Sequence, residues 1–146
     1  MIDFARIVSI KTLRLKVEEA TNEMDAAGRP ILLDWSLIPK VHDCFVEYAH
    51  HEGICPDDFT KRRQFIFIAL YLFAPKVLVG GKMPIGLRDR LCDALSLNAR
   101  TALSNQVKDL IFFYQEYKDF RDGVNEAYAY IEERLGLGDD LNDIAI

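Results

Sequence analysis

The stretch FIFIALYLF, residues 65–73, is apolar on nearly every side of the helix that it would form. A helix of that kind belongs at the centre of a fold, where other helices cover it. Asp57 or Asp58 can cap its N-terminus, and Pro75 disturbs its end. The run is too short to cross a bilayer, so we expect no membrane partner. The stretch predicts the buried central helix of a globular domain.

The sequence before this stretch supplies two helices to surround it. Residues 4–26 are expected to form the first helix, and Ala27-Gly28-Arg29-Pro30 ends it. One face of this helix carries five apolar residues at helical spacing: Ile10, Leu13, Val17, Ala20 and Met24. A second helix follows Asp34 or Ser36, with Pro39 in its first turn, and its buried side is marked by Val41, Phe45 and Tyr48.

The sequence after the stretch predicts three more helices. Residues 77–81 form a short extended or turning connection, and a fourth helix runs from Pro84 or Ile85 to about Leu95. A fifth helix follows Asn98 and runs to about Lys118, and a sixth carries the stripe from Phe120 to Leu135. We therefore expect an all-α domain, a compact bundle of about six helices. The domain is expected to cover residues 1–136, followed by a flexible acidic tail, 137–146.

The charge of the chain is unevenly distributed. The net charge is −5, but residues 61–121 carry eleven Lys/Arg and five Asp/Glu, whereas both flanking segments are acidic. The three cysteines are odd in number and widely spaced, which favours a reducing compartment over a disulfide framework. We expect a cytoplasmic location, in a cell or in an infected host, or in a virion if the protein is encoded by a phage.

Residues 87–110, LRDRLCDALSLNARTALSNQVKDL, read as two short helices joined by a tight turn. Cys92 is small enough for close helix packing, Leu97 lies just past the turn, and Asn98 is a good N-cap. In these features residues 85–110 resemble the helix-turn-helix superfamily of DNA-binding domains. The supporting helix would be residues 59–74, which makes residues 59–118 a helix-turn-helix-like unit.

Two positions depart from the helix-turn-helix pattern. Ser96 stands where the turn usually has glycine, and Asn105 stands where the second helix should bury an apolar residue. The better apolar face of that helix is formed by Leu103, Val107, Leu110 and Ile111, as if the register were one residue longer. A plain packing of two helices would tolerate this register.

The resemblance implies a non-enzymatic protein that binds nucleic acid, with DNA as a possible partner. The second helix would lie in the major groove and present Arg100, Ser104, Asn105 and Lys108, of which Arg can read guanine and Asn adenine. Phosphates would be bound by a set of basic residues nearby: Lys61, Arg62, Arg63, Lys82, Arg88 and Arg90.

The segment from Arg63 to Tyr117 is also similar to uncharacterised proteins carried by bacterial prophages and mobile elements. This resemblance implies a phage or mobile-element origin and assigns no chemistry to any residue. The alternative function is a phage structural, connector or interaction protein. Such a protein would bind protein partners, or its own copies in a homo-oligomer, through helical surfaces and complementary charge blocks.

Other residue clusters in the sequence are weaker. The cluster of His42, Cys44, His50, His51 and Cys55 lacks the spacing of a zinc site, although His51 and Cys55 could pair. Gly80-Gly81-Lys82 lacks the earlier glycine and the Ser/Thr of a phosphate loop, but it could serve as a phosphate-contacting wing. No nucleophile is placed beside a base, so we expect no enzyme, no cofactor and no metal.

Overall fold

The computed structural model describes residues 4–55, 58–97 and 100–137, without the side chains of residues 24, 27 and 100–102. All regular elements in these ranges are helices, which confirms the predicted all-α class. A 3-10 turn at Trp35–Leu37 precedes the second of them. The helices are α1 (Phe4–Ala27), α2 (Ile38–His51), α3 (Phe59–Phe73), α4 (Pro75–Leu78), α5 (Leu87–Leu95), α6 (Arg100–Val107), α7 (Leu110–Glu116) and α8 (Lys118–Leu135).

Helix α3 is the central helix, as its composition predicts. From Phe65 to Phe73 all side chains are buried except Tyr71, which is 43% exposed and makes a T-shaped contact with the Tyr128 ring. The carboxylate of Asp58 caps the helix by accepting a hydrogen bond from the Thr60 amide at 3.2 Å. Helices α2, α4, α6 and α8 pack around α3 and keep water from its apolar surface.

Helix α8 closes the bundle by packing along α2 and α3. Arg134 on α8 donates to both carboxylate oxygens of Glu47 on α2, at 2.7 and 2.9 Å. Gly123 lets α8 approach α3 closely, because a Cβ at this position would overlap the side-chain amide of the buried Gln64. The predicted stripe of the last helix is confirmed, since its central residues lie in the core.

Two expected boundaries between residues 75 and 95 are wrong. Residues 77–81 are not a purely extended or turning connection, because α4 includes Val77 and Leu78. Helix α5 begins at Leu87 rather than at Pro84 or Ile85, since Gly86 has a positive φ of 90° that a helix cannot include. Sequence periodicity does not locate such short interruptions.

The expected fifth helix is divided into α6 and α7 by a turn at Lys108 and Asp109. Helix α7 ends at Glu116, and the extended backbone of Tyr117 lets α8 start in a new direction. Helix α6 packs against α3 and α5, whereas α7 packs against α8. One straight helix could not reach both surfaces, and tertiary packing therefore overrides the local helical pattern.

Helix α1 extends away from this bundle. It forms over the predicted residues, but none of its described side chains is buried. It packs against α4 near its C-terminal end, where Asp25 and Lys76 form an ion pair at 3.1 Å. At the other end of the chain Leu137 is buried in the core, and the rest of the predicted acidic tail lies outside the described residues.

Candidate nucleic-acid interface

Helices α5 and α6 pack against each other across a short connection. Four residues, 96–99, separate the two helices. Ser96 takes the left-handed backbone conformation, with φ 56° and ψ 38°, at the position where a helix-turn-helix usually has glycine. It is the one positive-φ residue other than glycine in the described chain. A sharp left-handed turn is therefore present despite the serine, at the cost of some backbone strain.

The register of α6 explains why Asn105 does not match the buried position of the motif. Leu103 and Leu110 are fully buried, and Gln106 is 9% exposed, so the inner face passes through these residues. Asn105 is exposed, and Ser104 is partly exposed. Lys108 is exposed too, but it lies in the turn after α6 rather than on the helix. The Asn98 cap and the side chain of Arg100 lie outside the described residues.

Three of the predicted binding residues surround one surface groove of about 370 Å³, which we call the α4–α6 groove. Arg88 comes from α5, Ser104 from α6 and Lys108 from the following turn. The apolar lining includes Val77 and Val107. Two basic side chains beside a hydroxyl, around an open apolar depression, form a suitable binding surface for an anionic group with an apolar neighbour.

The loop with the two glycines forms another wall of this groove. Gly80 has a φ of 94°, and a Cβ at Gly81 would lie 2.7 Å from the carbonyl oxygen of Lys76, so both positions favour glycine. Their amides already donate to the carbonyl oxygens of Val77 and Lys76 in α4, at 3.3 and 2.7 Å. The loop therefore does not offer these two amides to a phosphate. Its next residue, Lys82, is exposed and adds a positive side chain next to the groove-lining Gly81.

Lys61, Arg62 and Arg63, the α3 basic cluster, lie in a different environment. All three are partly buried, and the guanidinium of Arg63 lies 3.8 Å from the centre of the Phe59 ring and 4.7 Å from that of Phe113. Desolvation lowers the pKa of Lys61, although Glu126 and Asp58 partly offset the effect. Since α3 ends where α4 begins, this cluster and the groove are at opposite ends of α3.

Arg90 faces a second set of neighbours. It lines a depression between α2 and α5 together with Asp43, Asp93 and His42. It also contributes to the lowered pKa of Asp34, after the larger effects of the side-chain and backbone hydrogen bonds from Ser36. Acidic neighbours surround Arg90, so this position is less suited to a phosphate than the α4–α6 groove.

The histidines and cysteines of the weak zinc pattern lie in different environments and do not form one cluster. The ring of His42 makes a T-shaped contact with the Phe65 ring, and Cys44 is buried, which raises the pKa of its thiol. His50, His51 and Cys55 are exposed. Among the residues that the structure describes, no group of three or more His, Cys, Asp or Glu side chains could hold a metal ion.

One polar residue near this surface was not singled out from the sequence. Gln106 on α6 is buried, and its side-chain oxygen Oε1 has no hydrogen-bond partner within the described chain. Its spacing of three residues from Leu103 would have placed it on the inner face, but an amide there does not follow the apolar pattern. Gln106 therefore places a buried polar side chain on the inner face of α6.

Comparisons of the chain with family models, curated proteins and solved structures find no match. Within the described residues, no helix combines the length and the apolar character that crossing a membrane requires.

Proposed function

We propose that the protein binds nucleic acid, without catalysis, through the α4–α6 groove and the exposed side of α6. The observation that carries the proposal is the position of Arg88, Ser104 and Lys108 around one groove. Ser104 and Lys108 are four residues apart, about one helical turn, whereas Arg88 belongs to the preceding helix α5. The packing of α5 against α6 that brings Arg88 to the same groove supports a site for a phosphate group better than the number of cations alone does.

Each side chain has a role that follows from its chemistry. Arg88 and Lys108 would neutralise phosphate charge, and the hydroxyl of Ser104 would donate a hydrogen bond to a phosphate oxygen. Lys82 would contact the neighbouring phosphate from the loop. Asn105, exposed on α6, would face the bases, since an amide can pair with the edge of adenine in the major groove. The left-handed turn at Ser96 sets the angle between α5 and α6.

The acidic net charge of the chain is compatible with this function. At physiological ionic strength the Debye length is about 8 Å, so exposed charges farther away are largely screened from a bound phosphate. The local charge of the groove then decides binding. The same argument makes the affinity dependent on salt, because phosphate contacts release condensed counterions.

Fluorescence anisotropy of a labelled duplex tests the proposal. The charge-reversed variant R88E/K108E is expected to bind on the order of 100-fold more weakly than the wild type at low salt, with a shallower salt dependence. The matched control is K40E/K118E, which makes the same change of charge at exposed positions outside the groove. Absence of binding by the wild type at low salt, or equal losses in both variants, would contradict the proposal.

The expected alternative, a phage connector or interaction protein, draws its support from α1. An apolar helix surface without cover favours contact with another polypeptide, but it does not select the function that such a contact would serve. The convergence around the groove is the more specific observation, and nucleic-acid binding therefore comes first. An origin in a phage or mobile element stays a prediction from the sequence.

A further inference from the structure

Helix α1 exposes more apolar surface than the fold of one chain explains. Seven large apolar side chains between Phe4 and Val17 are 51–71% exposed. The helix has 24 residues and is thus about 36 Å long. Single exposed apolar residues are normal, but a whole helix of them indicates a surface that another polypeptide covers.

A coiled-coil seam runs along one side of α1. Ile10, Leu13, Val17 and Ala20 follow one another at spacings of three, four and three residues, which is the pattern of two heptads. All four residues are exposed. Val8 is nine residues before Val17 and therefore lies on the opposite side of the helix.

The charges of α1 form two blocks. Residues 4–17 carry four basic side chains and no acidic one, whereas residues 18–27 carry four acidic side chains and no basic one. A helix with this pattern complements a second copy of itself in the antiparallel direction. In a parallel pair each block would face the same block and repel it.

We propose that α1 pairs with α1 of a second copy of the chain as an antiparallel coiled coil. In the register that the charges favour, Val17 of one copy faces Ala20 of the other, and Lys16 faces Glu23 of the other. In the alternative register, one half-heptad away, Arg14 faces Arg14 of the other copy and Lys16 faces Lys16 of the other copy, so that like charges repel. The proposal goes beyond nucleic-acid binding and does not depend on the groove.

Sedimentation equilibrium of the full chain tests the pairing. At about 100 μM, where a Kd of roughly 1 μM leaves most chains paired, a species of twice the chain mass of 16.7 kDa is expected. V17D should weaken the dimer at least about tenfold. The matched control V8D changes an equally exposed valine, at 64%, on the opposite side and should leave the dimer intact. Equal effects of V17D and V8D would contradict the seam.

Further experiments test the charge pairing between Lys16 and Glu23 and the antiparallel orientation of the two α1 helices. K16E should weaken the dimer, and K16E/E23K should restore it. In a C55S background, a mixture of V17C and A20C proteins should be linked by a short bismaleimide, whereas I10C alone should not, because in this register the two copies of residue 10 are about 25 Å apart along the coiled coil. Linking of I10C to itself would indicate a parallel pair and overturn the proposal. A chain that stays monomeric would overturn it as well, and would leave a different protein as the candidate to cover α1.

The dimer test is separate from the test of nucleic-acid binding. R88E/K108E should form the dimer like the wild type, because both residues lie outside α1. A wild-type monomer that binds a duplex would remove only the coiled coil. A dimer without affinity for a duplex would remove only the proposed function.

Discussion

The α3 basic cluster and the α4–α6 groove contain the same kinds of residues but differ in how the fold uses them. In the cluster, Arg63 lies against two aromatic rings, and Lys61 is desolvated beside carboxylates. In the groove, Arg88 and Lys108 are exposed and line the same open depression. The sequence alone assigns all of these residues to one binding surface. The comparison shows that burial separates cations that stabilise the fold from cations that are available to a ligand.

The largest change in stability is expected at Gln64, which directly follows the α3 basic cluster and packs against Gly123 of α8. G123A would displace the amide of Gln64, which is 1% exposed and donates to the Phe120 carbonyl oxygen at 3.2 Å. Overpacking and the lost hydrogen bond outweigh the better helix propensity of alanine, so the free energy of unfolding should fall by about 2–3 kcal/mol. Urea denaturation measures the change. In a Q64A background the G123A substitution should be nearly neutral. An equal loss of stability there would contradict a steric overlap between residue 123 and the Gln64 side chain.

The next effect separates the two basic regions directly. R63A removes a guanidinium from two aromatic rings and should lower the free energy of unfolding by about 1 kcal/mol. It should change the affinity for a duplex less than about twofold. R88A should do the opposite, with unchanged stability and weaker binding. If R63A weakened binding to the duplex as much as R88A does, the α3 basic cluster would be part of the binding surface, and the distinction between the cluster and the α4–α6 groove would be contradicted.

A substitution in the turn between α5 and α6 should stabilise the fold. S96G relieves the left-handed strain of a residue with a Cβ and should raise the free energy of unfolding by about 0.5–1 kcal/mol, since the entropy lost by glycine offsets part of the gain. Thermal denaturation followed by circular dichroism measures it. S96A keeps the Cβ and should give no such gain. A loss of stability in S96G would show that the serine side chain matters more than the backbone strain.

The smallest effect is expected at an exposed ion pair that belongs to neither region. Hydrogen bonds from Tyr130 and Arg134 lower the pKa of Glu47 below its ordinary value of 4.5. The stability from this carboxylate is therefore present above pH 4.5 and is lost as the pH falls through the lowered pKa. E47Q should have a slightly lower urea midpoint than the wild type at pH 7, and the difference should vanish on acidification. A difference that persists in acid would contradict the link to this carboxylate.

Much of the fold was predictable because its signals are local. The apolar run 65–73 requires a covered position, and the stripe from Phe120 to Leu135 requires one buried face. The break at Lys108 and Asp109 was not predictable, since it depends on α6 and α7 packing against different helices. The exposure of α1 was not predictable either, because its heptad seam has the same pattern whether it faces a core or a second chain.

The candidate site was predictable only in its residue types. Sequence placed Arg88, Ser104, Lys108 and the loop at Gly80-Gly81 among the candidates, but it could not separate them from Arg63 or Arg90. That separation depends on distant neighbours, such as Phe113 beside Arg63 and Asp34 beside Arg90. Charge along a chain does not report which side chains share a surface.

The most direct test of the central claim is a map of backbone amide NMR shifts on titration of the protein with a short DNA duplex. We predict that the largest shifts occur at Lys82, Arg88, Ser104, Asn105 and Lys108, and that they decrease as salt is added. The amides of residues 61–63 and of α1 should change little. Shifts centred on residues 61–63, or no shifts at low salt, would contradict nucleic-acid binding at the α4–α6 groove.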